Sequence, residues 1–207
     1  MTKKISELKE EYETKIKGME IVNDSLTKEV SLLKETNAKL KTQVNMDRQL
    51  VQEAAISCNF NEQYSRKNNV KILNFPTKPD ENLRQDLIQT IHDDLGVQIH
   101  HADITEIHRI PTKNRAQRDK PVIVRLASSE VKRNIMRQKK NLKNNVRVVD
   151  DVTKKNLDLI KRLKESSEIE SAWYFNTAVY GKTKSGHQMK FDLFDDIHQK
   201  IRVQGNS

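Results

Sequence analysis

Cysteine, glycine and aromatic residues are all scarce in this chain, and each scarcity excludes something. Cys58 is the only cysteine in 207 residues. No disulfide can form within the chain, and neither a Cys-rich zinc site nor a zinc knuckle can be built. Five glycines leave little material for a phosphate-cradling loop, and neither the P-loop nor the dinucleotide-binding pattern occurs. Aromatics make up 5% of residues against 32% charged, so an elongated or helical portion is expected rather than one spherical core. No window approaches ~18 consecutive apolar residues, and Met1 to Glu13 contains no apolar leader core. A reducing compartment, cytosol or nucleus, without a membrane span is the expectation. The length leaves room for one or two small domains.

Proline is missing from residues 1 to 60, Gly18 is the one glycine there, and ten Lys/Arg balance ten Asp/Glu. One heptad register runs through this neutral segment unbroken. Its d positions hold Ile5, Tyr12, Met19, Leu26, Leu33, Leu40, Asp47 and Ala54. Its a positions hold Lys9, Ile16, Asn23, Val30, Asn37, Val44, Val51 and Cys58. An apolar repeat of ~3.5 residues needs partner helices to cover it. An isolated helix this polar would bury too little to hold one state. Residues 1–62 are therefore expected to form an oligomerising coiled coil. Its seam would hold Ile16, Asn23, Leu26, Val30, Leu33, Asn37, Leu40, Val44 and Val51, with Asn23 and Asn37 setting the register. Val at a with Leu at d leans toward two parallel strands, while the polar a positions leave the number open. The plainer reading is a single solvated helix.

The positive charge lies downstream. From His108 to Arg147 thirteen Lys/Arg face only Asp119 and Glu130, a formal +11 where the whole chain carries +9. Charge this dense repels itself unless a polyanion relieves it, and nucleic acid does so with release of condensed counterions. A solvated face on a basic protein is the bland alternative.

Residues 63–150 alternate strand and helix signals. Val70 to Phe75 alternates and stops at Pro76; Asn82 to Leu95 has helical spacing closed by Gly96. Ile104 to Ile110 reads as a second strand ended by Pro111, and Thr112 to Asp119 as a basic loop. Pro121 to Ala127 is a third strand, Ser128 or Ser129 caps a helix to about Lys140, and Val146 to Val149 is a fourth strand. The order is βαββαβ, a split sandwich with two helices on one sheet face. The RNA-recognition motif (RRM) shares this order and stacks bases on sheet aromatics. Here Lys71 occupies the first-strand aromatic slot, and Ile123 and Arg125 stand where third-strand rings belong. Phosphate contact and Arg stacking with little sequence preference are expected instead. Many ferredoxin-like domains use the same order without touching RNA.

The segments Gln63-Tyr64-Ser65-Arg66-Lys67-Asn68-Asn69-Val70-Lys71-Ile72, Ile107-His108-Arg109-Ile110-Pro111 and Pro121-Val122-Ile123-Val124-Arg125-Leu126 occur in that order. In sequence and spacing they resemble the first-open-reading-frame protein of LINE-type retrotransposons and, less closely, the baculovirus few-polyhedra (FP) protein domain. The resemblance covers essentially the whole chain. It implies a homotrimer through the coiled coil, a cytoplasmic ribonucleoprotein and nucleic-acid chaperone activity. It also places Arg125 on the RNA-facing side, with Arg137 and Arg147 at further basic positions.

Residues 151–207 are expected to make a small α+β lobe, which the resemblance casts as a second jaw over the strand. Thr153 would cap a helix to about Lys164. Ala172 to Asn176 and Thr177 to Gly181 read as two strands or one bent hairpin, Lys182 to Gly186 as a turn, Met189 to Phe191 as a strand and Asp192 to Ile201 as a short helix. Trp173 and Phe175 are expected in the core. Tyr180, Lys182 and Lys184 would sit near the hairpin tip.

The expected architecture is thus α+β: a long coiled-coil helix, an RRM-like sandwich and a small C-terminal lobe. The candidate nucleic-acid contacts are Arg66, Lys67, Lys71, Arg109, Arg115, Arg118, Arg125, Lys132, Arg133, Arg137, Lys140, Arg147, Tyr180, Lys182 and Lys184. The expected partners are single-stranded RNA or DNA and further copies of the chain, with no cofactor, no metal and no membrane. An enzyme is not expected. The six histidines (His92, His100, His101, His108, His187, His198) are scattered. Asp93-Asp94, Asp150-Asp151 and Asp195-Asp196 suit surface acidity better than a nuclease, since adjacent carboxylates diverge. A coiled-coil adaptor that binds only protein is the competing function.

Overall fold

The computed structural model describes residues 2–111 and 119–205. The chain is α+β, a long helix followed by two antiparallel sheets. It divides into two compact units, Met1–Ala54 and Ala55–Ser207. Among the described residues no helix is long and apolar enough to cross a membrane.

Helix α1 spans Thr2–Ser65. No proline interrupts it, and Lys15–Glu11 and Lys39–Glu35 ion pairs one turn apart support its exposed faces. Within the first unit the apolar a and d side chains all lie open, among them Ile16, Leu26, Val30, Leu33, Leu40, Val44 and Val51. One copy of the chain leaves that stripe uncovered, a geometry compatible with a coiled coil.

The second unit begins with the last turns of α1. Strand β1 (Asn69–Leu73), helix α2 (Leu83–Leu95), strands β2 (Ile104–Arg109) and β3 (Val122–Leu126), helix α3 (Ser129–Gln138) and strand β4 (Arg147–Asp150) follow. Asn82 and Ser128 accept amide hydrogen bonds as N-caps of α2 and α3, and Gly96 ends α2 in the left-handed conformation. The sheet order is β2-β3-β1-β4, antiparallel throughout. Val70, Ile72, Val122, Val124, Leu126 and Val148 face a core completed by Leu87, Ile91 and Leu95 of α2 and Ile135 of α3. The other face of this sheet carries Lys71, Ile123, Arg125, His108 and Arg147.

Helix α4 (Lys154–Glu165), strands β5 (Ile169–Phe175), β6 (Ala178–Thr183) and β7 (Gln188–Phe191) and helix α5 (Ile197–Gly205) complete the chain. The second sheet runs β5-β6-β7. Its core packs Leu159 and Leu163 of α4 against Ile169, Ala172, Val179, Met189 and Phe191, with Ile197 and Ile201 of α5 alongside. Gly181 is required here, because a Cβ would lie 2.8 Å from the Phe191 ring. Helix α5 starts later than the sequence suggests. Residues Asp192 to Asp196 instead form a turn, in which the Asp195 carboxylate accepts the Asp192 amide at 2.7 Å.

Candidate nucleic-acid interface

The basic residues separate into those held inside the fold and those left to solvent. Arg109 at the end of β2 is the clearest of the first kind. Its guanidinium donates to both Glu81 carboxylate oxygens and to the carbonyls of Phe75, Pro76 and Lys120, all at 2.6–3.1 Å, and its side chain is 13% exposed. This fork ties the β1–α2 loop to the end of β2. Arg109→Ala should cost about 2–3 kcal/mol of stability, since it strands Glu81 and three carbonyls. Urea denaturation reads that loss, while the salt dependence of polynucleotide binding should stay that of the parent.

Lys132 is held likewise. Its ammonium pairs with Asp150 at 2.7 Å and donates to the Lys67 and Asn69 carbonyls. Lys71 and Arg66 both pair with the buried Asp151, at 2.7 and 3.2 Å, and Arg66 also pairs with Glu62. Burial pushes the Asp151 carboxyl up. Hydrogen bonds from Lys71 and Asn69 and the charges of Lys71 and Arg66 outweigh that and hold it below the usual carboxylate range. With Asp150 and Asp151 engaged by different cations, the pair does not converge on one ion. Among the described residues no cluster of three or more His, Cys, Asp or Glu could hold a metal.

Of the candidate cations among the described residues, Lys67, Arg125, Arg133, Arg137, Lys140, Arg147 and Lys184 face solvent. Arg125 is 54% exposed and only 3.9 Å from Glu106, a loose surface pair. Arg125 and Arg147 lie on the open face of the first sheet, on β3 and β4. Arg133, Arg137 and Lys140 follow one another along α3 and the turn after it. Arg115 and Arg118 lie outside the described residues.

Rings are found on the second sheet, where the sequence pattern hid them. Trp173 and Phe175 are not core residues: Trp173 is half-buried and Phe175 is 65% exposed. The cause is a bulge in β5. Ile169 pairs with Thr183 and Ser171 with Lys182, so Glu170 is an extra residue and the alternation slips by one. Ala172 then faces the core, and Trp173 and Phe175 face away from α4 and α5. Tyr180 pairs directly across from Trp173, their rings stacked with centroids 6.2 Å apart, and Phe175 lies 6.5 Å from Tyr180. Lys190 pairs with Tyr180 on β7, and Lys182 flanks the rings while reaching Glu170 at 2.8 Å. Tyr180 and Lys182 are therefore strand residues on an open sheet face. Only Lys184 of the three candidates lies in the turn.

A cleft of about 350 Å³ adjoins this face, lined among others by Lys67, Lys132, Arg133, Tyr174, Phe175 and Asn176. Burial pushes the Tyr174 phenol up to about 12, although the Thr177 amide donates to its oxygen. The β5–β6 turn at the mouth is held by Asn176 and Thr177 at positive φ. Beyond Lys67, the last turns of α1 carry Phe60 and Tyr64, stacked 6.1 Å apart and 51% and 50% exposed. The Lys67 ammonium sits 4.2 Å from the Tyr64 ring centre and donates to its hydroxyl at 2.9 Å, which lowers the Tyr64 pKa.

An uncharged lock sits on the opposite side of the same helix end. Gln63, 1% exposed, donates to the Asp151 carbonyl at 3.0 Å and accepts from the Thr153 amide at 2.9 Å and from Asn156 Nδ2 at 3.0 Å. Asn59 donates to Asn156 Oδ1 and accepts from the Thr153 hydroxyl, both at 2.8 Å. Thr153 is also the N-cap of α4. The two amides thus bind the end of α1 to the start of α4. Sequence reasoning missed them, because isolated Asn and Gln within a helix carry no periodic signal.

No family model matches the chain, and no curated protein is significantly similar to it.

Proposed function

We propose that this chain is a self-associating protein that binds single-stranded RNA or DNA with little sequence preference, without catalysis. The observation that carries this reading is the stacked pair Trp173 and Tyr180, with Phe175 tilted against Tyr180, on an open sheet face beside Lys182 and Lys190, whose partners Glu170 and Asp192 have side chains open to solvent. Stacked rings beside ammonium groups accept any base and any phosphate, which is the chemistry of sequence-tolerant single-strand binding. Arg125, Arg147 and the cations along α3 add phosphate contacts. The first sheet with α2 and α3 is read as RRM-like, with phosphate contact in place of ring stacking. The second sheet with α4 and α5 is read as a C-terminal lobe.

The uncovered stripe of α1 supports self-association, and the motif resemblance favours three strands over two. Joining several weakly binding copies raises the local concentration of sites along one strand. That favours coating and annealing over reading a sequence, in keeping with a chaperone of a cytoplasmic ribonucleoprotein. The test is binding of the full chain to oligo(U) and to a mixed-sequence RNA over a salt series. Similar affinities and a steep log–log salt slope are expected. Arg125→Ala and Arg147→Ala should each flatten that slope by about 0.7 per lost phosphate contact. A chain that binds neither RNA at low salt is instead the protein-only adaptor.

A further inference from the structure

We infer that the end of helix α1 is a second base-stacking station, formed by Phe60 and Tyr64 with Lys67, and that a bound strand runs from the second sheet through the cleft to this station. This rests on the single-strand reading above and adds a location to it. Three observations carry it. The first is that two aromatic rings one helical turn apart stack on each other while about half their surface stays in water. Neither falls on the seam, since continuing the heptad puts Phe60 at c and Tyr64 at g. The apolar stripe therefore does not explain them.

The second is the placement of Lys67. Its ammonium caps the Tyr64 ring, leaving a cation where the phosphate beside a stacked base would lie. The third is continuity. Lys67 also lines the cleft, Arg133 lines it beside Lys67, and Phe175 belongs both to the cleft and to the ring cluster on the second sheet. Rings and cations thus follow one another by way of the cleft: Trp173, Tyr180 and Phe175, then Arg133 and Lys67, then Tyr64 and Phe60. Among the described residues the open face of the first sheet carries the His108 imidazole but no Phe, Tyr or Trp, and its Lys71 is neutralised by Asp151, so a stacking strand gains more on this track. Charge complementarity selects a polyanionic occupant, and the exposed rings select one whose bases are unpaired.

The experiment is photocrosslinking of the full chain to single-stranded RNA carrying 5-bromouridine, with the crosslinked peptides mapped by mass spectrometry. It is combined with the affinity of Phe60→Ala/Tyr64→Ala for the same RNA. Crosslinks at Tyr64 or Phe60 as well as on the second sheet are expected, with affinity falling at least about tenfold. The melting temperature should fall by no more than about 4–8 °C, because about half of each ring is already in water. Crosslinks on the second sheet alone, with parental affinity in the double variant, would overturn the station and leave the single-strand reading standing. If no crosslink and no binding were found anywhere, the single-strand reading itself would fall.

Discussion

Gln63→Ala is expected to destabilise the unit beginning at Ala55 by about 3–5 kcal/mol, as much as truncating a large core side chain. The substitution removes three hydrogen bonds and leaves the Thr153 amide, the Asn156 side-chain amide and the Asp151 carbonyl facing a void. Each buried group left unpaired costs about 1–3 kcal/mol, which water entering the void recovers in part. The lost packing of the Gln63 stem adds a smaller cost. In a unit of this size each kcal/mol lowers the melting midpoint by about 2–4 °C. Trp173 lies in the same unit and reports its unfolding separately from that of the long helix. Gln43→Ala is the control, because Gln43 is exposed on α1 and bonds only Asp47; its effect should stay within about 0.5 kcal/mol. Equal melting curves for the two variants would mean that the buried amides bear no load.

Trp173→Ala combined with Tyr180→Ala should weaken single-strand binding by about a hundredfold while leaving the salt slope untouched. Stacking of a base on a ring contributes about 1–3 kcal/mol and neutralises no phosphate. The two signatures therefore separate cleanly: removing arginines flattens the salt dependence, and removing rings shifts the whole line. Both rings face away from the core of Leu163, Val179 and Phe191, so the fold should persist in circular dichroism. Fluorescence anisotropy of a labelled oligo(U) measures the loss. A change below about twofold would transfer the binding to the arginines alone and remove the ring cluster from the site.

Much of the element pattern was legible because local chemistry encodes it. Pro111 follows closely on the end of β2, Gly96 ends α2, and Ser128 and Thr153 cap their helices through side-chain oxygens, whereas β1 ends at Leu73, before left-handed Asn74, rather than at Pro76. The unbroken heptads marked out the long helix. The candidate site was legible only as a list of charges, since a run of cations does not reveal which of them the fold neutralises. Arg109 finds Glu81 and Lys132 finds Asp150, partners 28 and 18 positions away in the chain. The ring cluster was hidden for another reason. Strict alternation from Ile169 puts Ser171, Trp173 and Phe175 on the inner face, and nothing in Glu170 announces that it will stand outside the ladder.

That one unpaired position makes parity, rather than composition, the quantity on which the second sheet depends. A chain with the same rings and the same spacing but a regular ladder at Glu170 would be turned inside out, its tryptophan packed against α4 and its alanine in water. Relatives that work in the same way should therefore keep the bulge together with the extra residue, or lack both, even where the residues differ. Aligning them by hydrophobic pattern alone would pair inner positions with outer ones.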